Sequence, residues 1–364
     1  DVFGTQVLHL TKQEQEFVFT GFKAKPRLSP LRGFSSPVIL DWKVSDEHLL
    51  FLMKYDTDPF NRWEAFQKLA TKELRKLIDQ HINNEPMIPS ESFVNSYSGI
   101  LKDLGKDPHF EALLFELPST VVLAQTMDVF EPASEFYARK SLKSAISQRH
   151  FDLIFTTYNR LKSIDPFSKG SLTTGQRALK NKMLDLLASP ETAFDQYKNA
   201  LNMTDRMAAM GCLADLETDL SQEAFGDFYK KWSKDPVVID KWFQIQALSL
   251  QDSSFEMVQK LEKDPAFSNK NPNKVYSLIS AWANGNLVRF HDRFQETYPW
   301  IAKKIIELDG INPQVATHVN RCWNLKKKLN PLRQDFMTQA IKTIANHPGL
   351  SKNTSEQIQK SLEF

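Results

Sequence analysis

Phe34-Ser35-Ser36-Pro37-Val38-Ile39-Leu40-Asp41-Trp42, running into Phe51-Leu52-Met53 and then Asp58-Pro59-Phe60-Asn61-Arg62-Trp63-Glu64-Ala65, decides how this chain is read. In its first part Val38, Leu40 and Trp42 alternate with Ile39, Asp41 and Lys43, the period of two that belongs to a strand. Leu8 and Leu10 flank His9 in the same way, and Phe17 and Phe19 flank Val18. Thr20-Gly21, Pro26, Pro30 and Gly33 punctuate these runs as turns. The pattern predicts three or four strands. An immunoglobulin-type sandwich needs about seven, so residues 1–45 read as the remnant of a truncated β-sandwich with an unpaired edge that invites association.

Beyond residue 45 the period becomes helical and stays so. Glycine is sparse, 12 residues in 364, which suits a chain with few tight hairpins. Asp58-Pro59, Asp107-Pro108, Glu131-Pro132, Asp165-Pro166, Ser189-Pro190, Asp235-Pro236, Asn271-Pro272 and Asn312-Pro313 each read as a helix start. The polar side chain accepts from a free backbone N–H, and proline at the first helical position gives up only a donor without a partner. Apolar stripes follow: Trp63, Phe66, Ala70, Leu74 and Leu77; Ile239, Trp242 and Phe243; Val275, Leu278, Ile279 and Trp282. The spacing of the starts is irregular. The expected fold is therefore mostly α, residues 46–364 forming an irregular α-solenoid of antiparallel helix pairs of the armadillo or HEAT kind, with about eighteen to twenty helices and no further sheet. Phe167 to Gly175 reads as an exposed loop.

Bulk composition excludes several classes. Forty-six Lys+Arg against 44 Asp+Glu leave a net charge of +2 with no basic stripe, so no nucleic-acid partner is expected. Lys326-Lys327-Lys328 reads as a solvated helix end. No apolar run reaches the roughly 18 residues a membrane span needs. Two cysteines, Cys212 and Cys322, fit a reduced, cytoplasmic protein without disulfides, and a monomer is expected. The first residue is Asp and Val2-Phe3 reads as mid-domain sequence, so the sequence is expected to be cut from a longer one.

The opening stretch, together with Asn202-Met203-Thr204-Asp205, Ile239-Asp240-Lys241-Trp242-Phe243, Asn271-Pro272-Asn273 with Ser277-Leu278, and Asn312-Pro313-Gln314-Val315-Ala316, resembles bacterial aminopeptidase N, a family of gluzincin-type zinc aminopeptidases. The likeness spans nearly the whole chain and covers the end of the family's small β-domain plus its helical domain. It implies a parent enzyme that removes N-terminal residues from peptides with a zinc-bound water. It also implies that this chain partners the catalytic domain of the same polypeptide and walls the peptide's chamber.

The chemistry of that family is not written in this sequence. A zinc peptidase needs two His one helical turn apart with Glu between them. The eight histidines, His9, His48, His81, His109, His150, His291, His318 and His347, are too scattered to build it, and the amine-gripping Gly-x-Met-Glu-Asn segment is missing. There is no glycine-rich phosphate loop, Cys-x-x-Cys or Gly-x-Ser-x-Gly elbow. Asp46-Glu47-His48 reads as a cap or hinge. The expectation is no catalytic residue and no metal or cofactor in this chain, with zinc in the parent's catalytic domain. What the resemblance leaves as candidate chamber wall are two polar faces: Lys274 and Tyr276 after the Asn271 start, and Gln314, His318 and Arg321 after the Asn312 start. The alternative is a free-standing α-solenoid that binds a protein partner, with those faces ordinary solvated surface.

Overall fold

The structure, a computed structural model, describes residues 5–363. Its N-terminal segment departs from expectation. Residues 5–45 contain no strand, and their only regular element is a single 3-10 turn, Arg32–Phe34. A strand exists only when a neighbour accepts and donates its backbone hydrogen bonds, and none of the alternating runs lies beside another here. Most of their apolar side chains stay in water, Leu10 at 71% exposed, Val38 at 56% and Phe19 at 47%, while Trp42 packs in part against the helical core.

Side chains, not a sheet, moor this segment to the helices. Asn61 Nδ2 donates to Ser29 Oγ and Pro30 O, both at 2.8 Å. Asp56 pairs with Arg32, and Asp58 accepts from Gly33 N while capping the next helix through Asn61 N. Ser45 caps the first helix, Asp46–Tyr55, through His48 N. His48 Nε2 also meets Leu28 O at 2.8 Å, Glu47 pairs with Arg27 and Asp46 with Lys72, so the cap is Ser45 and the Asp46-Glu47-His48 run ties the first turn to its surroundings.

Nineteen α-helical segments follow among the described residues, from Asp46–Tyr55 to Lys352–Glu363, with no strand. Proline is the first residue of helices at Pro59, Pro108, Pro132, Pro190, Pro272 and Pro313. Two of the eight expected starts behave differently. Asp165 Oδ1 accepts from Phe167 N, closing a turn rather than a helix. Asp235 Oδ1 accepts from both Val237 N and Val238 N, so that helix opens at Val238, two residues after Pro236. Both side chains close an Asx turn at these positions. The expected loop through Gly175 also ends early, because the Ser171–Leu187 helix already contains Gly175. A Cβ there would lie 2.7 Å from His109 N, so only glycine lets the Asp107–His109 turn come so close.

The helices share one contiguous apolar core from Leu49 to Ile358. Polar locks hold successive pairs in register. Tyr158 OH donates to Gln196, Tyr197 OH to Asp227 and Tyr229 OH to Asp264, three links that step along the array. The densest lock surrounds Asp205, which accepts from Lys180 Nζ at 2.7 Å, Asn181 Nδ2 at 3.1 Å and Asn202 Nδ2 at 2.9 Å. Asn202 in turn caps the Met203–Ala214 helix through Asp205 N. The lysine run is only in part a solvated end, for Lys327 alone of the three is exposed. Lys326 is buried, its ammonium donating to Ser361 O and Leu362 O at the C-terminus of the last helix, and Lys328 Nζ donates to Met127 O.

Candidate functional site

Both polar faces singled out in the sequence grow from Asn-Pro starts. Asn271 caps Pro272–Val275 through Asn273 N, and Asn312 caps Pro313–Val319 through Gln314 N, both at 3.0 Å. The cap and the proline ring fix the first turn of each helix. Val275, Leu278, Ile279, Val315, Val319 and Trp323 are all buried, none more than 3% exposed.

After Val275 the first helix widens into a π-turn, Tyr276–Ser280, before continuing as Ala281–Gly285. Such turns are rare and cluster at functional sites. Here it sets Tyr276 against His318, ring centroids 4.4 Å apart, while Ser280 Oγ shares a 2.9 Å hydrogen bond with His318 Nδ1. Asn284 Nδ2 donates to Ser280 O and Ser280 Oγ, both at 3.1 Å. Tyr276 and His318 are half-buried, and Gln314 and Arg321 are exposed on the same helical stripe. Burial, and secondarily the Arg321 guanidinium, lower the His318 pKa. The cluster thus presents an imidazole biased to its neutral form, a phenol, an amide and one fixed positive charge: groups that bind and orient, with no exposed nucleophile. Ser280 is only 3% exposed.

Lys274 does not join them. Its side chain is 5% exposed, and Nζ donates to Asp240 Oδ1 and Pro236 O, both at 2.6 Å. It is therefore not on the open face the sequence reading gave it. An ammonium that close to a carboxylate and a carbonyl, with water excluded, is a structural tie. Ser280 and Asn284 were missed, although Tyr276, Ser280 and Asn284 lie at i, i+4 and i+8 and could have been found as a polar stripe. Among the described residues no three His, Cys, Asp or Glu side chains converge as metal ligands. Cys212 and Cys322 are free thiols; burial pushes Cys212 up to about 12 and Cys322 well above its ordinary value. No helix among the described residues is long and apolar enough to cross a membrane.

Comparison with known proteins gives the wider frame. Residues 46–363 match the family described as a domain of unknown function, DUF3458_C, of ARM repeats. Residues 1–43 match a second domain of unknown function, DUF3458, with an Ig-like fold. The chain is 32% identical to aminopeptidase N of Caulobacter vibrioides over 98% of its own length, and 30% identical to that of Haemophilus influenzae over 99%. It spans 42% of the length of each of these relatives. A crystal structure of Legionella pneumophila aminopeptidase A in complex with aspartic acid superposes with a TM-score of 0.81 at 28% identity, over 92% of this chain and 40% of that one. With its helical array matched from residue 46 to residue 363, the chain belongs to the DUF3458_C family of ARM-repeat domains and corresponds to the C-terminal part of an aminopeptidase N.

Proposed function

We propose that this chain is the non-catalytic part of a zinc-dependent aminopeptidase, capping the catalytic domain of the same polypeptide and walling the chamber that receives peptides. The observation that carries the reading is the match itself: nearly all of this chain aligns with aminopeptidase N, yet it accounts for 42% of that protein. The reaction, the zinc and its ligands are assigned to the remaining length, in a cytoplasmic enzyme that acts as a monomer. The exposed apolar residues between Val7 and Leu40 favour this over a free-standing scaffold, because such a surface calls for a cover.

Within this reading Tyr276, Gln314, His318 and Arg321 face the chamber and influence how longer peptides enter and orient, whereas Lys274 holds the wall together from inside. The test uses the complete enzyme. His318→Ala or Arg321→Ala is expected to change kcat/KM for peptides of several residues more than for a single-residue anilide, with Tm nearly unchanged. Equal effects on both substrates would return these side chains to ordinary surface. Chelator-sensitive release of amino acids by the 364-residue chain alone would overturn the whole assignment.

A further inference from the structure

In a helical-repeat array each repeat touches its sequence neighbours, and contacts between distant repeats are not expected. Among the described residues this chain departs from that rule where Leu287–Asp292 meets Pro132–Leu161. The Pro132–Leu161 helix packs on Ser171–Leu187, Ser171–Leu187 on Met203–Ala214, and Met203–Ala214 on Val238–Ala247. That helix packs on the π-turn and Ala281–Gly285, and Leu287–Asp292 then returns to Pro132–Leu161. The path closes on itself.

The seam is held by a short set of specific bonds. Arg333 Nη1 meets Glu131 Oε2 at 2.7 Å across 202 residues of chain. Asn330 Nδ2 donates to Glu131 Oε1 at 2.8 Å. Phe130 N donates to Lys328 O at 2.6 Å, and Lys328 Nζ to Met127 O at 2.8 Å. Arg333 Nε also donates to His291 O at 3.1 Å, and the Arg289 guanidinium lies 5.3 Å from the centre of the Phe136 ring. Glu131 precedes the proline of its helix, but its side chain caps nothing there; both of its oxygens are committed across the seam. Its side chain is 24% exposed and that of Arg333 13%, so the pair is shielded enough to count yet reachable by water.

We propose that the bonds of Glu131 to Arg333 and Asn330 form a clasp that closes the helical array into a ring, and that releasing this seam opens the array without unfolding its helices. Apolar contact crosses this joint too, since Phe130 and Leu329 are buried in the common core there, but its register is set by one charged pair, an amide and two backbone carbonyls. The clasp fixes the curvature of the array, because an open array can flex between each pair of repeats and a closed one cannot.

Hydrogen exchange on the 364-residue chain tests this. Arg333→Met removes the guanidinium and keeps an apolar stem. The expected result is exchange about tenfold faster, equivalent to 1.4 kcal/mol, on both sides of the seam at once: residues 127–137 and 286–293. Helices between 190 and 232 should keep wild-type protection, and the largest dimension from small-angle scattering should increase. Glu131→Gln, which preserves side-chain volume, is the gentler variant from the other side and should give the same map. Lys198→Met, which breaks an ion pair between near neighbours in the chain, should change exchange only locally. Faster exchange confined to 331–345, a uniform rise over the whole chain, or different maps for the two seam variants would each overturn the clasp.

Discussion

Replacing Asp205 with Ala tests whether the Asn202-Met203-Thr204-Asp205 run matters because of its buried network. Asp205 is 5% exposed, and Lys180, its 2.7 Å partner, is 8% exposed. Truncating the carboxylate strands an ammonium where water cannot fully reach it, and breaking such a pair costs about 3–5 kcal/mol. Asn181 and Asn202 lose an acceptor too. With about 2.1 cal/mol/K per residue of unfolding entropy, a 364-residue chain changes by about 0.8 kcal/mol per degree near its midpoint, so Tm should fall by about 4–6 °C. Calorimetry is the direct assay, with urea melts to confirm that the slope is unchanged. The double variant Asp205→Ala/Lys180→Met should recover much of the loss, because it removes the stranded charge along with its partner. A loss below about 1 kcal/mol, or a double variant as unstable as Asp205→Ala, would refute the reasoning.

Two further outcomes follow from burial. Leu278→Ala or Ile279→Ala should cost about 2–5 kcal/mol, while Arg321→Ala in the 3-10 turn after the neighbouring helix should stay within about 0.5 kcal/mol; urea titration of the three variants separates them. His291 is fully buried, its Nδ1 against Tyr298 OH at 2.6 Å, and burial lowers its pKa to about 3. Its folded-state pKa lies below the unfolded value, so its contribution is fully present above about 6.5 and is lost as pH falls towards 3. Over that window the stability of the wild type should drop more steeply than that of His291→Gln; parallel curves would contradict it.

Where the helices begin, and which faces they bury, follows from residues close together in the chain. Six of the eight polar-proline marks start helices at their prolines, and every apolar residue assigned from the Asn271 and Asn312 phases is in the core. Capping and hydrophobic period are local physics, complete within one turn or two. The tyrosine, imidazole, amide and guanidinium of the candidate site were legible for the same reason. Tertiary structure decided the rest, because the deciding partner lies far along the chain. Lys274 is buried rather than open since Asp240 waits 34 residues upstream. Lys326 is an internal tie since the last helix ends beside it. The alternating runs before residue 45 carry a strand's pattern but no strand, for a period of two specifies a face and only a neighbouring backbone supplies the ladder. Glu131, which reads as one more cap, instead reaches Arg333 across 202 residues, a pairing that no local rule encodes and that only closure of the whole array brings about.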